Sequence, residues 1–138
     1  MRAETIFEEL QIIPTQQLLR QLRRIKGLRL KDVSKLSGYN AASLSCYERL
    51  HQEPTLFSYR AIINSMGFEI RVEDNPIDEK LLVVYRARAG FSVEQMAAIL
   101  GCSPATVWRF ECDMHPIKFT RAMSWLHACG IPVSVVML

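Results

Sequence analysis

Residues 30–48 read LKDVSKLSGYNAASLSCYE, and a related stretch, VEQMAAILGCSPATVWRFE, occupies residues 93–111. Each stretch has apolar residues at helical spacing, then a glycine (Gly38 or Gly101), and then a second run of the same kind. Glycine commonly ends helices, because it adopts the left-handed backbone conformation at little cost. Each stretch therefore predicts two short helices that are joined by a tight turn.

The two stretches belong to a longer internal repeat. Residues 18–72 align without a gap on residues 81–135 when the sequence is shifted by 63 positions. Nine aligned pairs are identical, and they are Leu18/Leu81, Leu19/Leu82, Arg23/Arg86, Gly27/Gly90, Gly38/Gly101, Ala42/Ala105, Glu48/Glu111, Gly67/Gly130 and Val72/Val135. Chance rarely brings three glycines into register, so the pattern indicates two copies of one structural unit.

Each copy is predicted to contain four helices and a terminal strand. In the first copy, caps and apolar stripes predict helices over 16–26, 30–37, 41–50 and 56–66, before an alternating strand over 68–72. In the second copy, the helices are predicted over 79–89, 93–100, 104–112 and 118–129, before a strand over 131–137. The fold class is therefore mainly α. An unpaired strand edge tends to pair with another strand, and only a short segment joins the two copies. We therefore expect the two strands to pair into a small antiparallel sheet.

An amphipathic segment precedes the repeat. Ile6, Phe7, Leu10 and Ile13 form an apolar stripe that ends before Pro14. We expect this stripe either to pack on the rest of the chain or to dock a protein partner or a second copy.

Composition excludes several classes of protein. The 138 residues are 49% hydrophobic and 22% charged, which is typical of a folded chain. The four cysteines form no C-x-x-C pair, so we expect reduced thiols and neither a metal site nor a cofactor. The sequence shows no signal peptide and no membrane-spanning run, which favours a cytoplasmic protein. It also shows no nucleophile and base set, no paired carboxylates and no phosphate loop, so we do not expect an enzyme.

The repeated stretches resemble the lambda-repressor-like helix-turn-helix domains, the Cro, phage-repressor or XRE family. The resemblance rests on Ser34, Gly38, Leu44 and Tyr47 in the first copy, and on Ala97, Gly101, Val107 and Phe110 in the second. The family's first-helix arginine falls on Arg23 and Arg86, and its helix-ending glutamate falls on Glu48 and Glu111. The terminal strands resemble those of repressor-type antitoxins, in which strands from two subunits pair.

The resemblance implies a division of the chain into four parts. They are the amphipathic segment (1–14), a first helix-turn-helix domain (15–73), a linker (74–78) and a second helix-turn-helix domain (79–138). It further implies an intramolecular pseudo-dimer, in which an approximate two-fold axis relates the two domains. The alternative is a true homodimer with four helix-turn-helix units.

The second helix of such a motif lies in the major groove, so its outward residues are the candidates for contacts with bases. They are Ala41, Ala42, Ser43, Ser45, Cys46 and Arg49 in the first copy, and Pro104, Ala105, Thr106, Trp108 and Arg109 in the second. Arginine can donate two hydrogen bonds to guanine, and alanine can contact a thymine methyl group. Because the two sets differ, we expect the two half-sites to differ.

Candidates for phosphate contacts lie beside these helices. They are Arg20, Arg23, Arg24, Lys26, Lys31, Lys35 and Asn40 in the first copy, and Arg86 and Ser103 in the second. Such contacts position a protein on DNA without reading its sequence. The second copy is poorer in cations, so we expect the first copy to supply more of the affinity.

The resemblance therefore predicts a sequence-specific regulator of transcription that binds a pseudo-palindromic operator in double-stranded DNA. It would be a repressor of bacterial, phage or mobile-element origin, located in the cytoplasm and associated with the nucleoid. A second hypothesis is a protein-interaction module or antitoxin that binds a toxin, an activator or a polymerase. The family's glutamine near the start of the motif is replaced by Leu30 and Val93, which favours this alternative.

Overall fold

A computed structural model describes residues 4–7, 15–49 and 51–138 of the chain. In chain order the elements are β1 (Glu4–Phe7), α1 (Thr15–Ile25), α2 (Leu30–Ser37), α3 (Ala41–Glu48), α4 (Leu56–Ser65), β2 (Phe68–Val72), β3 (Asn75–Pro76), α5 (Leu82–Ala89), α6 (Val93–Leu100), α7 (Pro104–Glu111), α8 (Phe119–Ala128) and β4 (Val133–Met137). We call α1–α4 the first helix set and α5–α8 the second helix set. The protein is thus mainly helical, with a small antiparallel sheet.

The eight predicted helices are present, and their ends lie within two residues of the prediction at all but one terminus. The exception is the start of α5, where Glu79–Leu81 form a turn of 3-10 helix. Local capping explains this agreement. For example, the hydroxyl of Thr55 accepts a hydrogen bond from the Ser58 amide at 3.1 Å and so begins α4.

The core lies between the helices and the inner face of the sheet. The apolar residues of α4 that lie at helical spacing are buried, namely Leu56, Tyr59, Ile62 and Ile63. Trp125 of α8 is also fully buried, and its indole nitrogen donates to the carbonyl oxygen of Leu82 at 2.9 Å. The helical spacing of Leu18, Leu19 and Leu22 in α1 continues to Ile25 and predicts that all four are buried. The first three are buried, but Ile25, the last residue of the helix, is 47% exposed.

The sheet has the strand order β1-β4-β2-β3, and every neighbouring pair is antiparallel. The expected pairing of the strands that follow the two helix sets is confirmed, since β2 pairs with β4. Within this pair, Arg71 lies opposite Ser134. These two residues are equivalent in the repeat, so the register is unchanged when the copies are exchanged.

The two outer strands correct the prediction. Residues 74–78 were expected to be a linker, but Asn75 and Pro76 form β3 and pair with β2. A turn at Glu73 and Asp74, with positive φ angles of 53° and 67°, precedes this strand. In the N-terminal segment, Glu4–Phe7 form a strand along β4. This strand includes Ile6 and Phe7 of the expected stripe, whereas Leu10 and Ile13 lie outside the described residues.

The two helix sets also meet at α4 and α8. The amide of Leu56 donates to the Ile117 carbonyl at 2.8 Å, and the amide of Phe119 donates to the Pro54 carbonyl at 3.0 Å. The repeat aligns Leu56 with Phe119 and Pro54 with Ile117. Exchanging the two copies therefore turns the first hydrogen bond into the second. In the described part of the chain, no helix is sufficiently long and apolar to span a membrane.

Candidate nucleic-acid interface

The first helix pair consists of α2 and α3. Gly38 ends α2 in the left-handed conformation, at φ 79°, and its amide donates to the Ser34 carbonyl. Asn40 then begins α3, because its side-chain oxygen accepts from the Ala42 amide at 2.7 Å. Leu44, on the inner face of α3, is fully buried. The turn therefore presents the start and the outer face of α3 to solvent.

The second helix pair, α6 and α7, is built in the same way. Gly101 ends α6 at φ 71°, and the Ser103 hydroxyl accepts from the Thr106 amide at 3.2 Å, with Pro104 at the first position of α7. Val107 is fully buried. Both pairs thus have the same order of helix, glycine turn and capped helix, which is the order found in helix-turn-helix motifs.

An arginine and a glutamate clasp each of these second helices to the rest of the fold. Arg23 of α1 binds Glu48 at the end of α3, with Nε at 2.9 Å from Oε1, and it also donates to the Leu28 carbonyl at 3.1 Å. Only 17% of the Arg23 side chain and 5% of the Glu48 side chain are exposed. The clasp therefore fixes the position of α3 relative to α1.

The same contacts recur in the second helix set. Arg86 of α5 binds both carboxylate oxygens of Glu111, with Nη2 at 3.0 Å from Oε1, and it donates to the Phe91 carbonyl at 2.7 Å. The side chains of Arg86 and Glu111 are 15% and 8% exposed. The hydrogen bonds to Glu111 raise the pKa of Arg86 above its ordinary value.

These ion pairs involve two of the residues that were expected to contact phosphates. Arg23 and Arg86 were expected to bind DNA phosphates, but their guanidinium groups are directed at buried carboxylates and backbone carbonyls. A cation that already satisfies a buried carboxylate is not free for a phosphate. The two arginines therefore position the helices.

Sequence reasoning identified the two glutamates only as family markers and missed their role. The signal was present, because Arg23/Arg86 and Glu48/Glu111 are both identical pairs of the repeat. A basic and an acidic residue that persist together in both copies indicate a contact between them.

The other cations expected at phosphates differ in their surroundings. Arg24, Lys31 and Lys35 are exposed and have no ion pair within 4.0 Å among the described residues. Arg20 is also exposed, although its Nε lies 3.8 Å from Glu48 Oε2. Lys26 lies over the Phe68 ring, with Nζ 5.2 Å from the ring centre.

The expected base contacts lie on or beside the outer faces of α3 and α7. Ala42 and Arg49 are exposed in the first pair, and the partly exposed members are Ala41, Ser43, Ser45 and Cys46. In the second pair Thr106 is partly exposed and shares a hydrogen bond with Ser103, at 2.9 Å between the hydroxyl oxygens. The exposed members there are Pro104, Ala105, Trp108 and Arg109.

Arg109 and Trp108 are the largest exposed side chains among the candidates on α7. Trp108 is 52% exposed. Arg109 has no ion pair within 4.0 Å among the described residues, and the neighbouring acid, Glu111, is bound by Arg86. Both side chains are therefore available to a partner.

A comparison with protein families supports this assignment for the second pair. The family model of a homeodomain-like domain, a helix-turn-helix type, matches residues 74–112. This range contains β3 and helices α5, α6 and α7. Comparison with curated proteins and with solved structures found no match. The geometry and the family match together support a DNA-binding helix-turn-helix in this part of the chain.

Proposed function

We propose that the protein is a transcriptional repressor of the lambda-repressor-like type, with tandem helix-turn-helix domains over 15–73 and 79–138. The observation that carries this proposal is the exchange of equivalent contacts between the two helix sets. The pairing of Arg71 with Ser134, and the reciprocal bonds of Leu56 and Phe119, are those of a two-fold arrangement. A single chain would thus form a pseudo-dimer.

A pseudo-dimer of this kind suits a pseudo-palindromic operator. Dimeric helix-turn-helix proteins place their second helices in successive major grooves, about 34–36 Å apart. In the proposal, α3 reads one half-site and α7 reads the other, and the bound protein blocks a promoter. Because the outward residues of α3 and α7 differ, the operator is an imperfect palindrome.

Selection of binding sites from a random duplex library tests this function. We expect the purified protein, at near-physiological salt, to enrich one imperfect two-part site of about 15–20 base pairs. A doubled site would replace the pseudo-dimer by a homodimer with four helix-turn-helix units. Enrichment of no sequence would refute the repressor.

The substitution Arg109→Ala tests base reading by α7. Arginine binds the O6 and N7 atoms of guanine with two hydrogen bonds, so its loss should cost about 1–3 kcal/mol at one base pair and leave the other positions unchanged. Competition binding with single-base variants of the selected site measures this change. Lys80→Ala is the matched control, because it removes an exposed cation that lies outside both helix pairs. Equal base preferences in Arg109→Ala and the unmodified protein would exclude Arg109 as a reader.

A protein-interaction module remains the second candidate, and exposed apolar side chains favour it. Phe57 is 61% exposed and Met114 is 65% exposed, and both line a groove of 1120 Å³ beside Ile77. Large exposed apolar side chains are common at protein interfaces. This candidate would take the place of the repressor if the selection enriched nothing, and a toxin, an activator or a polymerase would then be sought.

A further inference from the structure

The outer surfaces of the two helix-turn-helix units carry different charges at equivalent positions. On the first helices of the two units, the exposed Lys31 and Lys35 of α2 correspond to the exposed Glu94 and Ala98 of α6. On the preceding helices, the exposed Arg24 of α1 corresponds to an alanine of α5. The unit that contains α2 is therefore basic on a face where its counterpart is acidic and apolar.

In the part of the chain that the structure describes, ion pairs occupy cations in both helix sets, but they leave Lys31 and Lys35 unpaired. Among the cations of the second helix set, Arg86 is held by Glu111, and Arg88 is bound by Glu73. Arg86 is therefore not free for a phosphate, whereas the pair of Arg88 is exposed and weak. Lys31 and Lys35, in contrast, have no such partner among the described residues. The Arg–Glu ion pair at the end of the second helix is the same in both sets. The two units therefore differ in the charge of their outer surfaces.

The residues that differ in charge lie on the helix that would face the DNA backbone. In a helix-turn-helix the first helix crosses the DNA backbone while the second enters the groove. Cations on the first helix neutralise phosphates and release counterions, whereas an acid there repels them. Lys31 and Lys35 are placed on this helix in one unit, and Glu94 is placed on it in the other.

We propose that the protein binds DNA with a fixed polarity, in which the two units make different contacts. The α2–α3 unit makes most of the contacts with phosphates, and the α6–α7 unit binds mainly through its contacts with bases. This inference rests on the proposed DNA-binding function. Lys31 and Lys35 contact phosphates, and Glu94 weakens the binding of the second unit to phosphates.

Reciprocal double variants test the polarity. In Lys31→Glu/Lys35→Ala the first unit receives the residues of the second, and in Glu94→Lys/Ala98→Lys the second unit receives those of the first. The probe is a mixed-sequence 20-base-pair duplex, because the phosphate contribution does not depend on sequence. Fluorescence anisotropy across a series of salt concentrations gives the affinity and its salt dependence.

We expect opposite results from the two variants. Lys31→Glu/Lys35→Ala should weaken binding roughly 10- to 100-fold and flatten the plot of log affinity against log salt by about two units. Glu94→Lys/Ala98→Lys should strengthen binding and steepen the plot by a similar amount. Lys80→Ala, the control, should leave the slope nearly unchanged. The altered side chains are exposed, and thermal melting checks that the fold is retained.

Two outcomes would overturn the proposal, and they differ from each other. If the unmodified protein binds the duplex and the first variant binds it with equal affinity and slope, the polarity is wrong while DNA binding stands. If the unmodified protein binds no duplex even at low salt, the polarity and the proposed function fall together.

Discussion

Replacing Arg86 with methionine is expected to lower the free energy of unfolding by about 3 kcal/mol, because it leaves a mostly buried carboxylate without its partner. The Glu111 side chain is 8% exposed and receives two hydrogen bonds from Arg86. The third bond of the guanidinium, to the Phe91 carbonyl, is lost as well. Urea denaturation followed by circular dichroism measures the change.

Arg88→Met is the matched control, since Arg88 lies on the same helix and also binds a glutamate. Its pair with Glu73 is exposed, with 54% and 44% of the two side chains accessible, and exposed pairs stabilise proteins little. Equal losses in the two variants would contradict the role of the clasp. The double variant Arg86→Met/Glu111→Met should regain much of the stability, because it removes the unpaired charge together with its partner.

Replacing Trp125 with alanine is expected to lower the free energy of unfolding by about 3–5 kcal/mol, because it opens a cavity in the core. The Trp125 side chain is fully buried, and its indole nitrogen binds the Leu82 carbonyl and so joins α8 to α5. Thermal melting and urea denaturation measure the loss.

Trp108→Ala provides the control, because its side chain is 52% exposed and such surface changes usually shift stability by less than about 0.5 kcal/mol. The protein has two tryptophans, so this variant also leaves Trp125 as the remaining indole fluorophore. Its emission should be that of a buried indole, and should move to longer wavelength on unfolding. A red-shifted emission in the folded variant would show that Trp125 is not in the core.

The helices could be predicted from the sequence because their signals are local. Gly38 and Gly101 end helices through their own backbone conformation, and Asn40 and Ser103 begin helices by accepting bonds from amides two or three residues away. The repeat strengthened these predictions, since each signal occurs twice.

The outer strands and the clasps could not be predicted in this way. Asn75 and Pro76 are typical turn residues, and they form a strand only because β2 offers them an open edge. Arg23 lies in a basic cluster, which favoured a phosphate contact, whereas its partner Glu48 comes 25 residues later. In both cases the deciding contact is distant in the sequence.

The strand order of the sheet also constrains how the protein is made. β4 lies between β1 and β2, and it is the last of the described strands to leave the ribosome. Until it emerges, β2 keeps one open edge, and β1 lacks the strand on which it lies. Open edges pair readily with other chains, so the interval of translation between Val72 and Val133 is the period in which the nascent protein is most exposed to aggregation.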